Sequence, residues 1–459
     1  MMEKAIRSGH NSNALIIFTR EPEPGMTKTR MMPYLSPDQC SELHKCMLKD
    51  IAKEASQANA DIIIAYTGGE PLFLRSIMKE GSRFRKGAVY IEQRGSGIGD
   101  RMENAISDAL NMGYRKAVLI GTDIPEIEAE SIDAAFAMLD AFDVCLGPTE
   151  DGGYYLIGMK DVHHAAFDVK QYGVGTVYEE TVRSMEEAAL TVGAADMYAD
   201  IDTPEDAAGY RSRMREDAHL RRSCTGRFLK ETMRISVIVP VYNESGEIRR
   251  LLEQLDKYRD ECEIIFVDGG STDDTVSIVE NAGFRILRSG KGRGIQMNAG
   301  ALESDGDVLF FLHCDSILPD DFPDEIRKVM AKCEWGCFGV KFPSRNFFML
   351  TNRIISNHRA LFRSLPFGDQ GIFIDRTVFF EAGMYPELPI MEDYAFSRKL
   401  KRYGFRTGMT GKRIISSARR YGSGTRSILK TEISMWRIRQ LFRKGVSAEE
   451  LQKKYRDIR

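Results

Sequence analysis

Two aspartates, Asp123 and Asp315, follow uninterrupted apolar runs at residues 117–120 and 308–312. Runs of this kind, bounded by turn residues, are typical of strands buried on both faces of a sheet. A carboxylate at the carboxyl end of a buried parallel strand points into the crevice where open α/β sheets bind ligands, and there it can hold a divalent cation. The alternative for each aspartate is an ordinary residue that opens a turn or caps a helix.

A second group of candidates is the cationic loop after the first apolar segment. Arg20, Lys28 and Arg30 lie in a stretch in which two prolines and a glycine exclude a helix. Proteins of the α/β class that bind nucleotides place phosphate at the loop that follows the first strand, so these cations could neutralise a di- or triphosphate. A solvated basic loop is the alternative interpretation.

Alternating strand and helix patterns must position both groups. The first half shows strand patterns at residues 13–19, 61–66, 88–91, 116–123, 143–147 and 150–158, and helical patterns near 37–58, 99–112 and 177–187. The second half repeats this order, with strands that begin at residues 234, 262, 284 and 308. Such alternation predicts the α/β class, with a mostly parallel, doubly wound sheet in each half.

Length and composition narrow the possibilities. At 459 residues the chain suits two domains, 1–212 and 234–459, joined by the charged segment 213–233 as an exposed helix or linker. The 64 Lys and Arg nearly balance 67 Asp and Glu, so bulk charge favours neither nucleic acid nor an anionic membrane as partner. The eight scattered cysteines indicate reduced thiols, and no apolar stretch has the length of a membrane span, so we expect a soluble, cytoplasmic protein.

Two features of the second half have both structural and functional interpretations. Glu392 and Asp393 open a helical pattern, where the helix dipole favours acids for structural reasons alone. The stretches 347–365 and 427–443 are amphipathic and basic. They are either substrate lids, helices that contact a membrane surface, or helices that pack on the sheet.

Several blocks of the second half resemble family 2 glycosyltransferases of the GT-A nucleotide-diphospho-sugar fold, close to the subgroup of arsenosugar-biosynthesis type. The matching blocks are residues 238–244, 267–271, 293 with 296–300, 313–315, 368–370, 391–393 and 417–420. Two departures are visible. Many relatives have Asp-x-Asp where this chain has His313, Cys314 and Asp315, and many have Asp-Asp-Gly-Ser where it has residues 268–271.

That resemblance implies roles for individual residues. It makes Asp315 the expected ligand of a Mg²⁺ or Mn²⁺ ion that neutralises the departing diphosphate. With only one carboxylate in this block, either His313 helps to bind the ion or solvent and phosphate complete its shell. Inverting transfer needs a base for the acceptor hydroxyl, which the family places in the pair Glu392 and Asp393, and Asp393 is the expected base. Nucleotide and donor contacts fall to Pro240, Glu244, Asp268, Arg293 and Asn298, and acceptor contacts to Gly368, Asp369 and Gln370.

The first half is similar to a separate GT-A-like family of unassigned activity and to nucleotidyltransferases that charge small molecules. The matching blocks are residues 18–20, 24–30, 121–123, 147–155 and 202–206, whereas residues 172–176 depart from the Trp-x-Thr-Asp-Thr of relatives. The resemblance implies that Asp123 is a metal ligand, with Asp202 or Asp200 as the second ligand. It also implies that Arg20, Lys28 and Arg30 bind phosphate. The substrate loop is expected at Glu150, Asp151, Gly152 and Gly153.

Together these patterns predict a bifunctional glycosyltransferase with two tandem GT-A-type domains. The second domain would transfer a sugar, with inversion and with a divalent metal, from a nucleotide-sugar donor to a small-molecule or lipid acceptor. The first would be a second transferase or a nucleotidyltransferase that makes the donor; the alternative is a non-catalytic nucleotide-binding or scaffolding module. We expect no nucleic-acid partner and no transmembrane segment, and the sugar, the base and the oligomeric state stay open.

Overall fold

The protein consists of two compact units, Met1–Leu229 and Lys230–Arg459. The computed structural model describes residues 11–32, 34–69, 71–81, 87–169, 172, 175–344, 346–417 and 425–456. Each unit contains one seven-stranded sheet with helices around it. The α/β class predicted from the sequence, with one mostly parallel sheet in each half, is confirmed.

In the first unit, strands and helices alternate from the start. The strands are β1 Asn13–Arg20, β2 Asp61–Thr67, β3 Ala88–Glu92, β4 Lys116–Ile120, β5 Val144–Pro148, β6 Tyr154–Met159 and β7 Val192–Ala194. The helices are α1 Pro37–Ala55, α2 Pro71–Gly81, α3 Ile98–Asn111, α4 Ala129–Met138, α5 Val177–Glu187, α6 Pro204–Glu216, α7 Ala218–Arg222 and α8 Cys224–Glu231.

The second unit repeats the alternation. Its strands are β8 Ile235–Val241, β9 Cys262–Asp268, β10 Arg285–Arg288, β11 Val308–Phe311, β12 Trp335–Lys341, β13 Ile372–Asp375 and β14 Thr407–Ile415. Its helices are α9 Ile248–Leu255, α10 Thr275–Asn281, α11 Arg293–Leu302, α12 Phe322–Met330, α13 Phe347–Arg363, α14 Arg376–Glu381, α15 Glu392–Tyr403, α16 Thr425–Arg443 and α17 Ala448–Arg456.

The two sheets have the same topology. The strand orders are β3-β2-β1-β4-β6-β5-β7 and β10-β9-β8-β11-β13-β12-β14. In each sheet one strand, β6 or β13, runs antiparallel to both of its neighbours, and all other pairs are parallel. The first strand of each unit is central, so the carboxyl ends of β1, β2 and β4, and likewise of β8, β9 and β11, share one edge of their sheet.

The apolar runs of the sequence form these central strands because both faces of the sheet are covered. In β1, Leu15 and Ile17 pack into one hydrophobic cluster with α1, α2 and α4, whereas Ala14 and Ile16 pack into another with α3. All four side chains are buried. Successive residues of a strand face opposite sides, so a strand covered on both faces needs apolar residues at every position.

The predicted linker, residues 213–233, is mostly helical, and apolar side chains in it are packed whereas several of its charged side chains stay exposed. Most of it, in α6 to α8, lies in the first unit, and Met214, Leu220 and Leu229 are buried there. The carboxylate of Asp50 in α1 accepts hydrogen bonds from the N–H groups of Cys224 and Thr225, each at 2.8 Å. The sequence did not predict these contacts, because the bonded partners are remote in sequence.

A smaller difference concerns the two candidate aspartates. β4 ends at Ile120 and β11 at Phe311, so Asp123 and Asp315 lie in turns beyond the strands and not on their last residues. Residues 418–420 and 173–174, which belong to two of the sequence blocks, lie outside the described residues. Within the described part of the chain, no helix combines the length and apolar character that a membrane crossing requires.

Candidate functional site

The ends of β8 and β9 form one wall of the predicted donor site. Pro240 pairs in register with Val267, and Val241 with Asp268. The buried Asp268 carboxylate accepts hydrogen bonds from the N–H groups of Gly270 and Ser271, at 2.9 and 3.1 Å. Asp268 therefore shapes the glycine-rich turn that follows β9.

The turn after β8 is tied to the turn after β9. Asn243, at φ 53°, donates its N–H to Ser271 Oγ at 2.9 Å and accepts the Thr272 N–H on Oδ1 at 2.8 Å. The Glu244 N–H donates to Thr275 Oγ1 at 2.8 Å. Asn tolerates this left-handed conformation better than most residues. The backbone at Glu244 is thus held in place before any ligand binds.

Gln296 of α11 clamps the two strand ends from one side. Its Nε2 donates to Val241 O and to Val267 O, both at 2.8 Å, and the side chain is buried. Gly269 lies directly against it, because a Cβ added at Gly269 would stand 3.0 Å from Gln296 Cδ. Gln296 belongs to the block 296–300, which resembles family 2 glycosyltransferases, but the sequence predicted no role for this residue.

Replacement of Gln296 by Leu is expected to lower the free energy of unfolding by about 1–3 kcal/mol, because two buried carbonyl oxygens each lose one hydrogen bond, although Val241 O keeps that from the Gly269 N–H. Urea unfolding monitored by circular dichroism measures this change. Asn281→Leu, at an exposed position on α10, is the matched control and is expected to stay within about 0.5 kcal/mol of the wild type. Equal stability of Q296L and wild type would show that the clamp contributes nothing.

The turn after β11 brings His313, one of the predicted metal ligands, toward the predicted base. The Ser316 N–H donates to His313 O at 3.2 Å, which closes a turn that contains Asp315. A Cβ added at Gly368 would stand 2.8 Å from His313 Nε2 and 3.4 Å from Asp393 Oδ2. His313 and Asp393 therefore face each other around the backbone of Gly368, and only glycine leaves room there.

Asp393 reaches out of its own helix. Its Oδ2 accepts the Gly368 N–H at 2.7 Å, and its Oδ1 accepts the N–H of Tyr394 at 2.6 Å. α15 begins at Glu392 without a side-chain cap, after Met391 at φ 72°. Such a backbone conformation is strained for Met and concentrates at functional sites. The link to Gly368 favours a role for Asp393 beyond helix capping.

Residues of α11 contact both the start of α15 and the segment that precedes it. Arg293 Nη1 lies 3.9 Å from Glu392 Oε1. The Asn298 amide makes two hydrogen bonds with the Tyr385 backbone, donating to its O at 2.9 Å and accepting its N–H at 3.0 Å. The structure thus brings Arg293 next to the predicted catalytic pair, whereas Asn298 is buried and holds the segment that precedes it.

The predicted acceptor loop is anchored by Gln370. This side chain is fully buried, and its Oε1 accepts a hydrogen bond from Arg359 Nη2 at 3.2 Å. Burial lowers the pKa of the Arg359 guanidinium to about 10, with Asp369 opposing that shift. Arg359, which the sequence did not single out, also lies over the ring of Phe367 at 3.4 Å. Gly368 and Asp369, the other two members of the loop, are half-buried.

The donor set of the second domain fits a hard divalent cation shared with a ligand. Asp315 and His313 are half-buried and lie in the same turn. The described residues contain no group of three His, Cys, Asp or Glu that would form a complete protein cage. Mg²⁺ commonly binds one or two carboxylates and completes its shell with water and phosphate oxygens, which this arrangement allows.

In the first domain the predicted metal ligands meet around an ammonium group. Lys28 Nζ lies 2.5 Å from Asp123 Oδ1, 3.3 Å from Asp202 Oδ1 and 2.6 Å from Ile201 O. Burial lowers the pKa of Lys28, but the two carboxylates raise it by more, so the net pKa lies above its ordinary value. The carboxylates are thus already neutralised, and a divalent cation fits there only if Lys28 moves away.

The neighbours of Lys28 complete this cluster. Arg30 Nη1 lies 3.2 Å from Asp202 Oδ2, whereas Arg20 Nη1 donates to Met26 O at 2.9 Å within its own loop. Burial raises the pKa of Asp200 to about 6, and Asp151 adds to the shift. Burial also lowers the pKa of His44 to about 4, assisted by Lys28. His44, which the sequence did not signal, is a neutral group beneath the cluster.

The loop predicted to bind substrate in the first domain folds on itself. Asp151 Oδ1 accepts the Gly153 N–H at 3.0 Å, and Glu150 donates its N–H to Tyr198 O at 3.1 Å. A Cβ on Gly152, at φ 85°, would stand 2.0 Å from Gly175 O. The close backbone approach expected of this glycine is therefore made to Gly175 of the same chain.

Lys28→Met is expected to increase the stabilising effect of Mn²⁺ on the first domain, because it leaves Asp123 and Asp202 with less positive charge to neutralise them. Urea unfolding with and without Mn²⁺ measures the effect, and without metal we expect the variant to lose about 1–3 kcal/mol. Lys79→Met, at an exposed position on α2, is the control. An identical response of K28M and wild type to Mn²⁺ would rule out cation binding at these carboxylates.

Two family models match the chain, one in each half. Residues 50–174 match the family described as uncharacterized protein conserved in bacteria (DUF2064). Residues 236–383 match glycosyl transferase family 2, a segment that includes the turns after β8, β9 and β11 and the loop at Gly368. Both resemblances inferred from the sequence are confirmed.

Individual relatives match shorter stretches. The undecaprenyl-phosphate 4-deoxy-4-formamido-L-arabinose transferase of Proteus mirabilis is 33% identical over 125 residues, which is 25% of this chain and 37% of that relative. The chain therefore spans about a third of the length of this relative. An uncharacterized glycosyltransferase of Haemophilus influenzae is 28% identical over 184 residues, 36% of this chain and 61% of that one.

Among solved structures, a proposed nucleotide-diphospho-sugar transferase from Desulfovibrio desulfuricans is 30% identical, with a TM-score of 0.44. The match covers 48% of this chain and 95% of that one. Glucosyl-3-phosphoglycerate synthase from Mycobacterium tuberculosis, solved with Mn²⁺ and UDP-glucose, is 17% identical with a TM-score of 0.35, over 47% of this chain and 80% of that one. The chain thus joins a DUF2064 region to a glycosyl transferase family 2 region, and each half contains one seven-stranded, mostly parallel sheet.

Proposed function

We propose that the second domain transfers a sugar from a nucleotide-sugar donor to an acceptor with inversion of configuration. The convergence of His313, Gly368 and Asp393 beside the turn that carries Asp315 supports this proposal most directly. In GT-A-type sheets the donor binds at the carboxyl ends of the first strands, and here those ends carry Pro240, Glu244 and Asp268. Fold alone does not define the reaction, so the proposal rests on the site and the family match.

The chemical step needs little from the protein beyond placement and one proton acceptor. An oxygen of the acceptor forms a bond to the anomeric carbon of the sugar while the bond from that carbon to the donor's diphosphate breaks. A hydroxyl acceptor gives its proton to the Asp393 carboxylate, which the Gly368 N–H orients. The electron pair of the broken bond leaves with the nucleoside diphosphate, whose charge Arg293 can help to neutralise.

Asp315, with His313, would hold a divalent cation, Mg²⁺ or Mn²⁺. Bound there together with the donor, the cation supplies positive charge for the leaving diphosphate. Glu392, near Arg293, keeps that guanidinium at the start of α11. Asp369 and Gly368 would face the acceptor, while buried Gln370 holds their loop. The acceptor is a small molecule or a lipid; the relative from Proteus mirabilis carries undecaprenyl phosphate in its name.

A panel of nucleotide sugars tests the proposal. The full chain is incubated with UDP-, GDP- and ADP-sugars and Mn²⁺, and release of nucleoside diphosphate and thermal shifts are recorded. We expect one base to give both release and stabilisation. The absence of both effects with every donor would refute a glycosyltransferase role for the second domain.

For the first domain, we propose nucleotide binding, with catalysis as a second transferase or a donor-making nucleotidyltransferase. The Lys28 contacts favour a non-catalytic binding module as the second candidate, because the ammonium stands where a catalytic cation would lie. Calorimetric titration of an Asp315→Ala chain with nucleoside triphosphates, with and without Mn²⁺, separates the two. Metal-dependent binding with pyrophosphate release supports catalysis, and metal-independent binding without release supports the module.

A further inference from the structure

The outward face of α13 is apolar. Six large side chains on it are exposed, with Phe347, Ile354 and Phe362 at 72%, 61% and 69% of their surface, and the others are Leu350, Ile355 and Leu361. Their spacing of three, four and seven residues places them on one side of the helix. Met349, Ser356 and Ala360 are buried on the opposite side. A surface helix normally has the reverse polarity, and an exposed apolar patch of this kind marks an interaction site.

α16 lies beside α13. Asn346, which caps α13, donates from Nδ2 to Thr425 Oγ1 at the start of α16, at 3.1 Å. Further along, Arg359 of α13 and Arg439 of α16 lie 3.4 and 5.5 Å from the centre of the same Phe367 ring. α16 has an exposed aromatic residue of its own, Trp436, at 56%.

The two helices concentrate positive charge in a chain whose net charge is −3. α13 contains three arginines and no Asp or Glu, although one of the three, Arg359, points inward to Gln370, and α16 contains five Lys and Arg against the single acid Glu432. Apolar side chains flanked by cations match a bilayer surface, because the apolar residues enter the boundary of the acyl chains while the cations meet anionic headgroups. Trp is enriched at that same depth.

A second copy of the chain fits this surface less well. A two-fold interface would place the same patch of both copies face to face. The cations of α13 and α16 would then oppose one another with almost no acid to pair with them, and such like-charge contacts are unfavourable. The charge pattern therefore favours an anionic lipid surface over self-association.

We propose that the exposed face of α13, with α16 beside it, docks the protein on an anionic lipid bilayer. Both helices are tied to the candidate site. Arg359 Nη2 donates to Gln370 Oε1 at 3.2 Å, and Arg443 Nε donates to the Tyr394 hydroxyl at 2.6 Å, next to Asp393. On the proposed function, on which this last step rests, docking presents a lipid-anchored acceptor to the loop at Gly368.

Vesicle co-sedimentation of the full chain tests the proposal. The vesicles are phosphatidylcholine alone or an equimolar mixture with phosphatidylglycerol, each at low and high salt. We expect wild type to bind the mixed vesicles and to be released by salt. The double variant Ile354→Gln with Phe362→Gln is expected to bind at least roughly tenfold more weakly, which corresponds to about 1.4 kcal/mol. Leu302→Gln, at an exposed position on α11, is the control and is expected to bind as wild type does.

Two further measurements make each outcome decisive. Light scattering without vesicles reports self-association, and nucleoside diphosphate release from donor in the absence of vesicles reports the site. The proposal is overturned if wild type and the double variant bind equally well, or if wild type does not bind the mixed vesicles. It is also overturned if wild type forms a dimer that the double variant does not form. Release from donor is expected to be the same in both proteins, so a failure of docking remains distinct from a failure of the proposed transfer.

Discussion

Replacing Asp393 by Asn is expected to lower kcat for transfer to a hydroxyl acceptor by about 10²–10⁴-fold, the range in which a positioned general base contributes. Asn has the same shape and keeps an oxygen that can accept the Gly368 N–H, which Asp393 now binds at 2.7 Å. The loop is therefore expected to stay in place, while the proton acceptor is lost. Donor affinity is expected to be unchanged, because the carboxylate acts on the acceptor.

Steady-state kinetics with the nucleotide sugar that the donor panel identifies measures kcat. Calorimetric titration with the corresponding nucleoside diphosphate measures affinity at the donor site. Glu381→Gln, which removes an exposed carboxylate at the end of α14, serves as the control. An unchanged kcat with a hydroxyl acceptor would remove Asp393 from the reaction. The size of the loss also reports the acceptor class, because a phosphate acceptor is already ionised and needs no base. If Asp393→Asn lowers kcat only slightly, and only with lipid-phosphate acceptors, Asp393 positions the acceptor and does not take its proton.

The second large effect is expected for Asp315→Asn, which removes the carboxylate beyond β11. In the presence of Mn²⁺ we expect the affinity for the nucleoside diphosphate to fall at least about 100-fold, which corresponds to about 2.7 kcal/mol. The remaining binding is expected to be independent of the metal, because the charge of Asp315 is what would hold the cation against the phosphates. His313→Asn is expected to have a smaller effect if the imidazole only assists.

Calorimetric titration with and without Mn²⁺ measures this change, and the number of sites separates it from binding in the first domain. Asp320→Asn, which neutralises an exposed acid a few residues further along, is the control. A D315N chain that still binds nucleoside diphosphate more tightly with Mn²⁺ than without it would exclude Asp315 as the ligand. If wild type binds nucleoside diphosphate equally well with and without Mn²⁺, a metal-assisted reaction in the second domain is excluded.

The sequence by itself determined the two α/β sheets, because their central strands are coded locally. Residues 14–17 and 308–311 are apolar at successive positions, as a strand covered on both faces requires. The turns that follow these strands were also visible, since Gly, Pro and Asp interrupt the runs. For this reason the sequence alone could place Asp123 and Asp315 near the carboxyl ends of β4 and β11.

Only the tertiary structure decided which of these residues meet. Lys28 reaches Asp123 across 95 residues of sequence, and Asp393 reaches Gly368 across 25. The antiparallel insertion of β6 and β13 and the clamp of Gln296 on two strand ends likewise depend on partners that are remote in sequence. So does the packing of Met214, Leu220 and Leu229 in the charged segment 213–229. Local patterns report propensity and one-sided burial, whereas a hydrogen bond or an ion pair needs both partners. Folding alone therefore placed the Lys28 ammonium between Asp123 and Asp202, and His313 opposite Asp393, the residue predicted to act as the base.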